Sequence, residues 1–169
     1  MECLTYLTEY ITLKGIVDED FVNYKVPSMT LMFPKCSFKC EKNGSKFCQN
    51  SSLASQPNIK TTIKSIYRRY ISNPISKSIV CQGLEPFDSW NELYSLLFHF
   101  KIHESCSDTF VIYTGYNKEE IIDKIEELQI MFENVVVKFG RFIPNNEKHF
   151  DETLGVYLAS DNQYGEKIS

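Results

Sequence analysis

A chain of 169 residues is long enough to bury one sizeable core and too short for two comfortable domains. With 43% hydrophobic and 24% charged residues it reads as a folded globular protein, and a formal net charge of −4 argues against nucleic acid as the main partner, because phosphate binding needs a cationic stripe. No apolar run reaches the ~18 residues of a membrane span. The first residues lack the basic-then-apolar layout of a signal peptide, and six cysteines in a chain with this much core are not needed as disulfide staples. The expectation is one domain, 1–169, in a reducing cytoplasm, with neither nucleic acid nor membrane as partner.

Residues 9–17 alternate weakly around Gly15 and read as an edge strand or extended entry segment. The polar stretch 18–28, with Pro27, is expected to be a loop. Thr30-Leu31-Met32-Phe33 is a short apolar run ending at Pro34, the pattern of a buried strand over 29–33. A loop from 34 to 58 follows, rich in Ser, Asn, Lys and Gln; a connection this long without structure of its own is usually functional.

Ile59, Ile63, Ile66, Tyr67, Tyr70 and Ile71 recur at three to four residues, predicting a helix capped by Asn58 and ended before Pro74. Arg68-Arg69, between two tyrosines, fits a solvated helix face. Ser78-Ile79-Val80-Cys81 predicts the second strand, closed by Gln82-Gly83-Leu84-Glu85-Pro86. A second helix opens near Asp88 and buries Trp90, Leu93, Leu97 and Phe98. Phe110-Val111-Ile112-Tyr113 is the third strand, closed by Thr114-Gly115-Tyr116.

Asn117 and Glu120 form a capping box for a third helix that presents Ile121, Ile125, Leu128 and Phe132 to a core. Val135-Val136-Val137 is the fourth strand, and the tail from Gly140 reads as irregular apart from a strand near 155–158. Four strands alternating with three helices predict an α/β fold with a mainly parallel sheet. Sites in such sheets form at the carboxyl ends of the strands, where the loops after all four strands would converge.

Cys36, Cys40 and Cys48 fall within thirteen positions of the first of these loops. Clustered thiolates select zinc or an iron–sulfur cluster, and either takes four donors. Two outcomes follow: a distant fourth residue, with Cys81, Cys106 or a histidine as candidates, closes a structural zinc site, or one position stays open for a ligand. His99 and His103, four apart on a helix and followed by Cys106, are a separate candidate metal pair, although histidines in a last helical turn also suit the helix dipole.

Several of these segments together resemble the radical S-adenosylmethionine (SAM) enzymes, in particular the activating enzymes of anaerobic ribonucleotide reductase. Cys36, Cys40 and Cys48, with the aromatic Phe47 before the last, resemble the family's CxxxCxxC, with seven residues rather than two after Cys40. Gln82-Gly83-Leu84-Glu85-Pro86 is similar to its GGEP segment, and Tyr113-Thr114-Gly115-Tyr116 to the YTGY that ends the third strand. Phe139-Gly140-Arg141-Phe142 resembles a DGxF element with phenylalanine for aspartate, and Ser160-Asp161-Asn162-Gln163 resembles an SNQ near the C-terminus.

The resemblance implies a partial (β/α) barrel of radical SAM type. It also implies a 4Fe-4S cluster held by Cys36, Cys40 and Cys48 with one open iron, and SAM bound by Phe47, Gly83, Glu85, Pro86, Thr114 and Gly115. The implied reaction is reductive cleavage of SAM to a 5′-deoxyadenosyl radical, which abstracts hydrogen from a glycine of the large reductase subunit. The electron would come from a donor such as flavodoxin or ferredoxin. No side chain need act as acid or base, since the cofactor carries the difficult chemistry. The alternatives are a divergent radical SAM enzyme acting on another substrate and a zinc-stabilised, non-catalytic interaction module.

Overall fold

The computed structural model describes residues 7–39, 48 and 50–169. The expected parallel core is present: β3 (Ser28–Phe33), β5 (Ser78–Gly83), β6 (Thr109–Tyr113) and β7 (Val135–Phe139) lie side by side and parallel, in the order of the chain. Antiparallel edge strands flank them, β2 (Gly15–Asp20) beside β3 and β10 (Tyr164–Lys167) beside β7. The six strands form an open sheet, ordered β10-β7-β6-β5-β3-β2, rather than a closed barrel. Two antiparallel pairs stand apart: β1 (Tyr10–Leu13) with β4 (Ile59–Thr62), and β8 (His149–Asp151) with β9 (Val156–Leu158).

The helices α1 (Ile63–Ser72), α2 (Trp90–Phe98) and α3 (Ile122–Met131) connect successive parallel strands. Because every crossover steps in the same direction across the sheet, a common hand puts all three helices on one face. The packing agrees. Ile66, Leu93, Leu97, Ile125 and Leu128 bury against Leu31, Ile79, Cys81, Ile112 and Val137, each fully buried aliphatic side chain contributing roughly 1.5–3 kcal/mol. The alternate residues Val80, Val111 and Val136 face the other way, and there Tyr24, Leu154 and Leu158 cover them. One face therefore carries helices and the other carries a turn and the β8–β9 hairpin.

Several sequence expectations are corrected. The helix expected from Asn58 begins at Ile63, because β-branched residues over Ile59–Thr62 pair with β1 as a strand; Thr62 is the cap, its hydroxyl accepting the Ser65 N–H at 3.1 Å. The second helix starts with a 3-10 turn, Pro86–Ser89, capped by Glu85 rather than Asp88, and α2 leaves Trp90 and Phe98 only half-buried. The entry segment is two strands, of which β2 extends to Asp20 inside the stretch expected to be loop. The tail holds β8 and β10 as well as β9, and a 3-10 turn, Ser51–Ser55, interrupts the cysteine loop. The capping box of Asn117 and Glu120 is formed as expected, with Ile121, Ile125, Leu128 and Phe132 buried.

Candidate functional site

At the carboxyl ends of the parallel strands the loops enclose a cavity of about 310 Å³. Its walls include Cys36 and Cys48, the Gln82–Glu85 loop, Tyr113–Tyr116, Lys138 and the turn Gly140–Phe142, with Leu158, Ala159 and Gln163 from the tail. Of the residues expected to hold ligands, Cys36, Cys48, Gly83, Glu85, Thr114 and Gly115 share this one cavity. Pro86 lies just outside the wall, buried at the start of the 3-10 turn. Cys40 and Phe47 lie outside the described residues, as does the Glu41–Lys46 insertion between them.

The ends of the loops are tied together through Glu85. Its carboxylate accepts the Gly115 N–H at 2.9 Å, the Thr114 hydroxyl at 2.9 Å and the Phe87 N–H at 3.1 Å. These bonds join the loop after β5 to the loop after β6. Burial pushes the Glu85 carboxyl up to about 7, although the three donors favour its charged form. The Thr114 N–H in turn donates to the Lys138 carbonyl at 2.9 Å, extending the brace to β7.

Gly83 shows why this position resists a side chain. Its φ is +107°, and a Cβ there would lie 2.7 Å from the Phe33 nitrogen. The Leu84 and Glu85 N–H groups donate to the carbonyls of Phe33 and Lys35 at 3.1 and 2.8 Å, so the loop runs along the first residues of the cysteine segment. Asp88 completes the attachment, accepting the Ser37 N–H at 2.7 Å and the Tyr116 hydroxyl at 2.6 Å. Burial, and after it that bond to Asp88, push the Tyr116 phenol up to about 12.

Within the cysteine segment, Phe38 adopts a φ of +51° and directs its N–H onto the Cys36 sulfur at 3.2 Å. The Asn50 amide donates to the Gly83 carbonyl at 3.0 Å and brings the far end of the loop back beside Cys48. The donor chemistry therefore fits an iron–sulfur cluster or zinc on this rim.

The residues considered as a fourth ligand stand elsewhere. Cys81 is fully buried on the helix-bearing face, and burial raises its thiol far above the ordinary range. Cys106 precedes β6 and so lies at the opposite end of the strands from the cavity. None of the three histidines lines the cavity; His99 and His103 line a separate one near α2, and no group of three metal-binding side chains is assembled among the described residues.

The tail supplies support that the sequence signalled only through its SDNQ segment. The Gln163 amide donates to the Gly140 carbonyl at 3.2 Å while its oxygen accepts the Ala159 and Ser160 N–H groups at 3.1 and 3.2 Å. Gly140 needs to be glycine here, with φ +97° and Asn162 oxygen 2.9 Å from where a Cβ would sit. Sequence reasoning missed Lys138 and Asp88 as site residues. Lysine inside a valine-rich strand was the available signal for the first, and nothing local marked the second.

No family model matches the chain, and no curated protein or solved structure matches it. No helix among the described residues is long and apolar enough to cross a membrane.

Proposed function

We propose that this chain is an iron–sulfur, SAM-dependent activating enzyme that generates a glycyl radical on an anaerobic ribonucleotide reductase. The observation carrying the reading is that Cys36 and Cys48 line the same cavity as Gly83, Glu85, Thr114 and Gly115, at the carboxyl ends of four parallel strands. Helices on one face of a sheet whose parallel strands follow chain order are the arrangement of a partial (β/α) barrel, which supports the radical SAM type of fold.

Cys36, Cys40 and Cys48 would hold a 4Fe-4S cluster, which would offer one open iron to the amino and carboxylate groups of SAM and, once reduced by an external donor, would supply the electron for its cleavage. The chain's own part is positional. Glu85 fixes the relative placement of the Gly83 and Thr114–Gly115 loops, Asp88 holds the start of the cysteine segment against them, and Gln163 fixes the Gly140 turn on the third side. The absence of Cys81, Cys106 and the histidines from the cavity wall favours an open metal position over a closed zinc site. The physiological partners under this reading are the large reductase subunit and a low-potential donor such as flavodoxin or ferredoxin, in the cytoplasm.

The test is anaerobic reconstitution with iron and sulfide. The expected results are about four irons and four labile sulfides per chain and release of methionine and 5′-deoxyadenosine from SAM on reduction. One zinc with no labile sulfide, or a reduced cluster that leaves SAM intact, overturns the reading.

A further inference from the structure

Resting on that reading and deepening it, we propose that a second cavity, beside the first, receives the glycine-bearing polypeptide in extended form. Gln82, on the boundary of the two, bonds a peptide group of that chain. In β5, Ile79 and Cys81 point to the helices, so Gln82 points with Val80 to the opposite face, where it is half-buried and lines the first cavity. It also lines a cavity of about 260 Å³, and Asn50 and Gly83 are shared by the two in the same way. The cavities therefore adjoin along this ledge.

The other side-chain amides on the wall of the first cavity are committed to the chain itself. Asn23 donates to Asp20 at 2.6 Å, Asn50 to the Gly83 carbonyl at 3.0 Å and Gln163 to the Gly140 carbonyl at 3.2 Å. The Gln82 amide has no hydrogen-bond partner among the described residues. A ligand that displaces water from it must replace the lost bonds. A carboxamide presents an acceptor oxygen and two N–H donors, which suit the N–H and C=O of a peptide group.

The second cavity has fixed walls. Met32, the register partner of Gln82 in β3, lines it, as do Ser52, Leu53 and Gln56 from the 3-10 turn. That turn is pinned at both ends: Asn50 ties its start to Gly83, and the Lys14 ammonium donates to the carbonyls of Ala54, at 3.0 Å, and Gln56. No described residue lining this cavity carries a charged side chain, whereas Glu85, Lys138 and Arg141 stand on the first. A phosphate or carboxylate is normally met by cations or several N–H donors. An extended polypeptide instead needs uncharged donors and acceptors along its length. The first cavity thus suits the charged cofactor and the second the neutral chain, with Gln82 where the two meet.

The probe is a blocked pentapeptide of alanine with a central α-dideuterated glycine, which offers backbone and little else. The anaerobically reconstituted protein is compared with Gln82→Leu, which removes the amide, and Leu53→Trp, which fills the second cavity; thermal unfolding confirms each fold. Fluorescence polarisation of a labelled copy reads peptide binding with SAM present, before reduction. After reduction, mass spectrometry reads the share of 5′-deoxyadenosine that carries deuterium. In that transfer the glycine Cα–D bond breaks as the C5′–D bond forms, and the unpaired electron is left on the glycine. Both variants are expected to bind the peptide roughly fivefold or more weakly and to lower the deuterated share by a similar factor. Because the share is taken per SAM cleaved, general damage to the SAM site does not reproduce it. Wild-type binding and share in Gln82→Leu overturn the role of Gln82, and in Leu53→Trp that of the second cavity; the SAM reading stands in either case. A wild type that cleaves SAM but neither binds the peptide nor takes its deuterium overturns the whole proposal and leaves SAM cleavage standing. A wild type that leaves SAM intact overturns both.

Discussion

Glu85 and Gly115 belong to different βα loops, yet the Gly115 N–H sits 2.9 Å from Glu85 Oε2, and this bond fixes the two loops to each other across the cavity. A carboxylate surrounded by backbone and hydroxyl donors at buried depth is a structural joint whose strength depends on its charge. Four consequences of this and of the neighbouring contacts can be measured.

The first concerns pH. Folded Glu85 holds its proton up to about 7, whereas the unfolded chain releases it near 4.5. The folded state thus binds more protons in between, so its stability falls as pH rises through that window and levels off above it. Relative to Glu85→Gln, which has no proton to lose, the wild-type protein without metal is expected to lose about 2–3 kcal/mol between about pH 5 and pH 8. Urea unfolding at stepped pH measures it, and a constant offset between the two proteins would place the Glu85 carboxyl in the ordinary range.

Gly83 and Gly115 separate two reasons for glycine. Gly83→Ala is expected to cost roughly 3 kcal/mol or more, since positive φ and backbone crowding against Phe33 act together. Gly115→Ala meets only ordinary contacts, the Arg141 Cγ at 3.5 Å and the Glu85 carboxylate at 3.7 Å, and is expected to cost under about 1 kcal/mol. Equal costs would show that the Gly83 loop relaxes freely.

Asp88 ties Ser37 to Tyr116, and Asp88→Ala removes both bonds. Hydrogen bonds to a charged group contribute about 1.5–3 kcal/mol, so local opening of the cysteine segment should rise roughly tenfold or more. Limited proteolysis reads this as faster cleavage within residues 34–58, with a smaller increase for Tyr116→Phe. Unchanged cleavage would mean that the backbone bond from Glu85 to Lys35 suffices to hold the segment.

Cysteine variants test the ligand set. Cys36→Ala, Cys40→Ala and Cys48→Ala are each expected to abolish the reconstituted cluster, measured as iron, labile sulfide and visible absorption. Cys81→Ala is expected to keep a full cluster and to cost about 1–2 kcal/mol for the small cavity it leaves in the core. A Cys48→Ala protein with a full complement of iron and sulfide would refute its assignment as a ligand.

Much of this architecture was legible in the chain. Runs such as Val135-Val136-Val137 and Phe110-Val111-Ile112 mark strands buried on both faces, the Asn117–Glu120 box marks a helix start, and strand–helix alternation implies parallel pairing, because these are local consequences of side-chain shape and polarity. The cysteine cluster and the glycine turns were legible for the same reason. Ile59–Thr62 was not. Its spacing satisfies a helix, and only pairing with Tyr10–Leu13 makes it a strand, a contact made nearly fifty residues away. The β10 edge strand likewise exists because β7 offers it a partner.

The site divides along the same line. Composition and spacing determined that a thiol-rich loop would stand at the carboxyl end of a parallel sheet. Tertiary structure alone decided that Glu85 spends its carboxylate on bracing two loops, that Asp88 grips Ser37 and Tyr116, and that Lys138 turns from a valine-rich strand into the cavity. Each of these depends on which face of a strand a residue occupies and on which distant donors arrive beside it. Those distances are set by packing, which no short stretch of sequence contains.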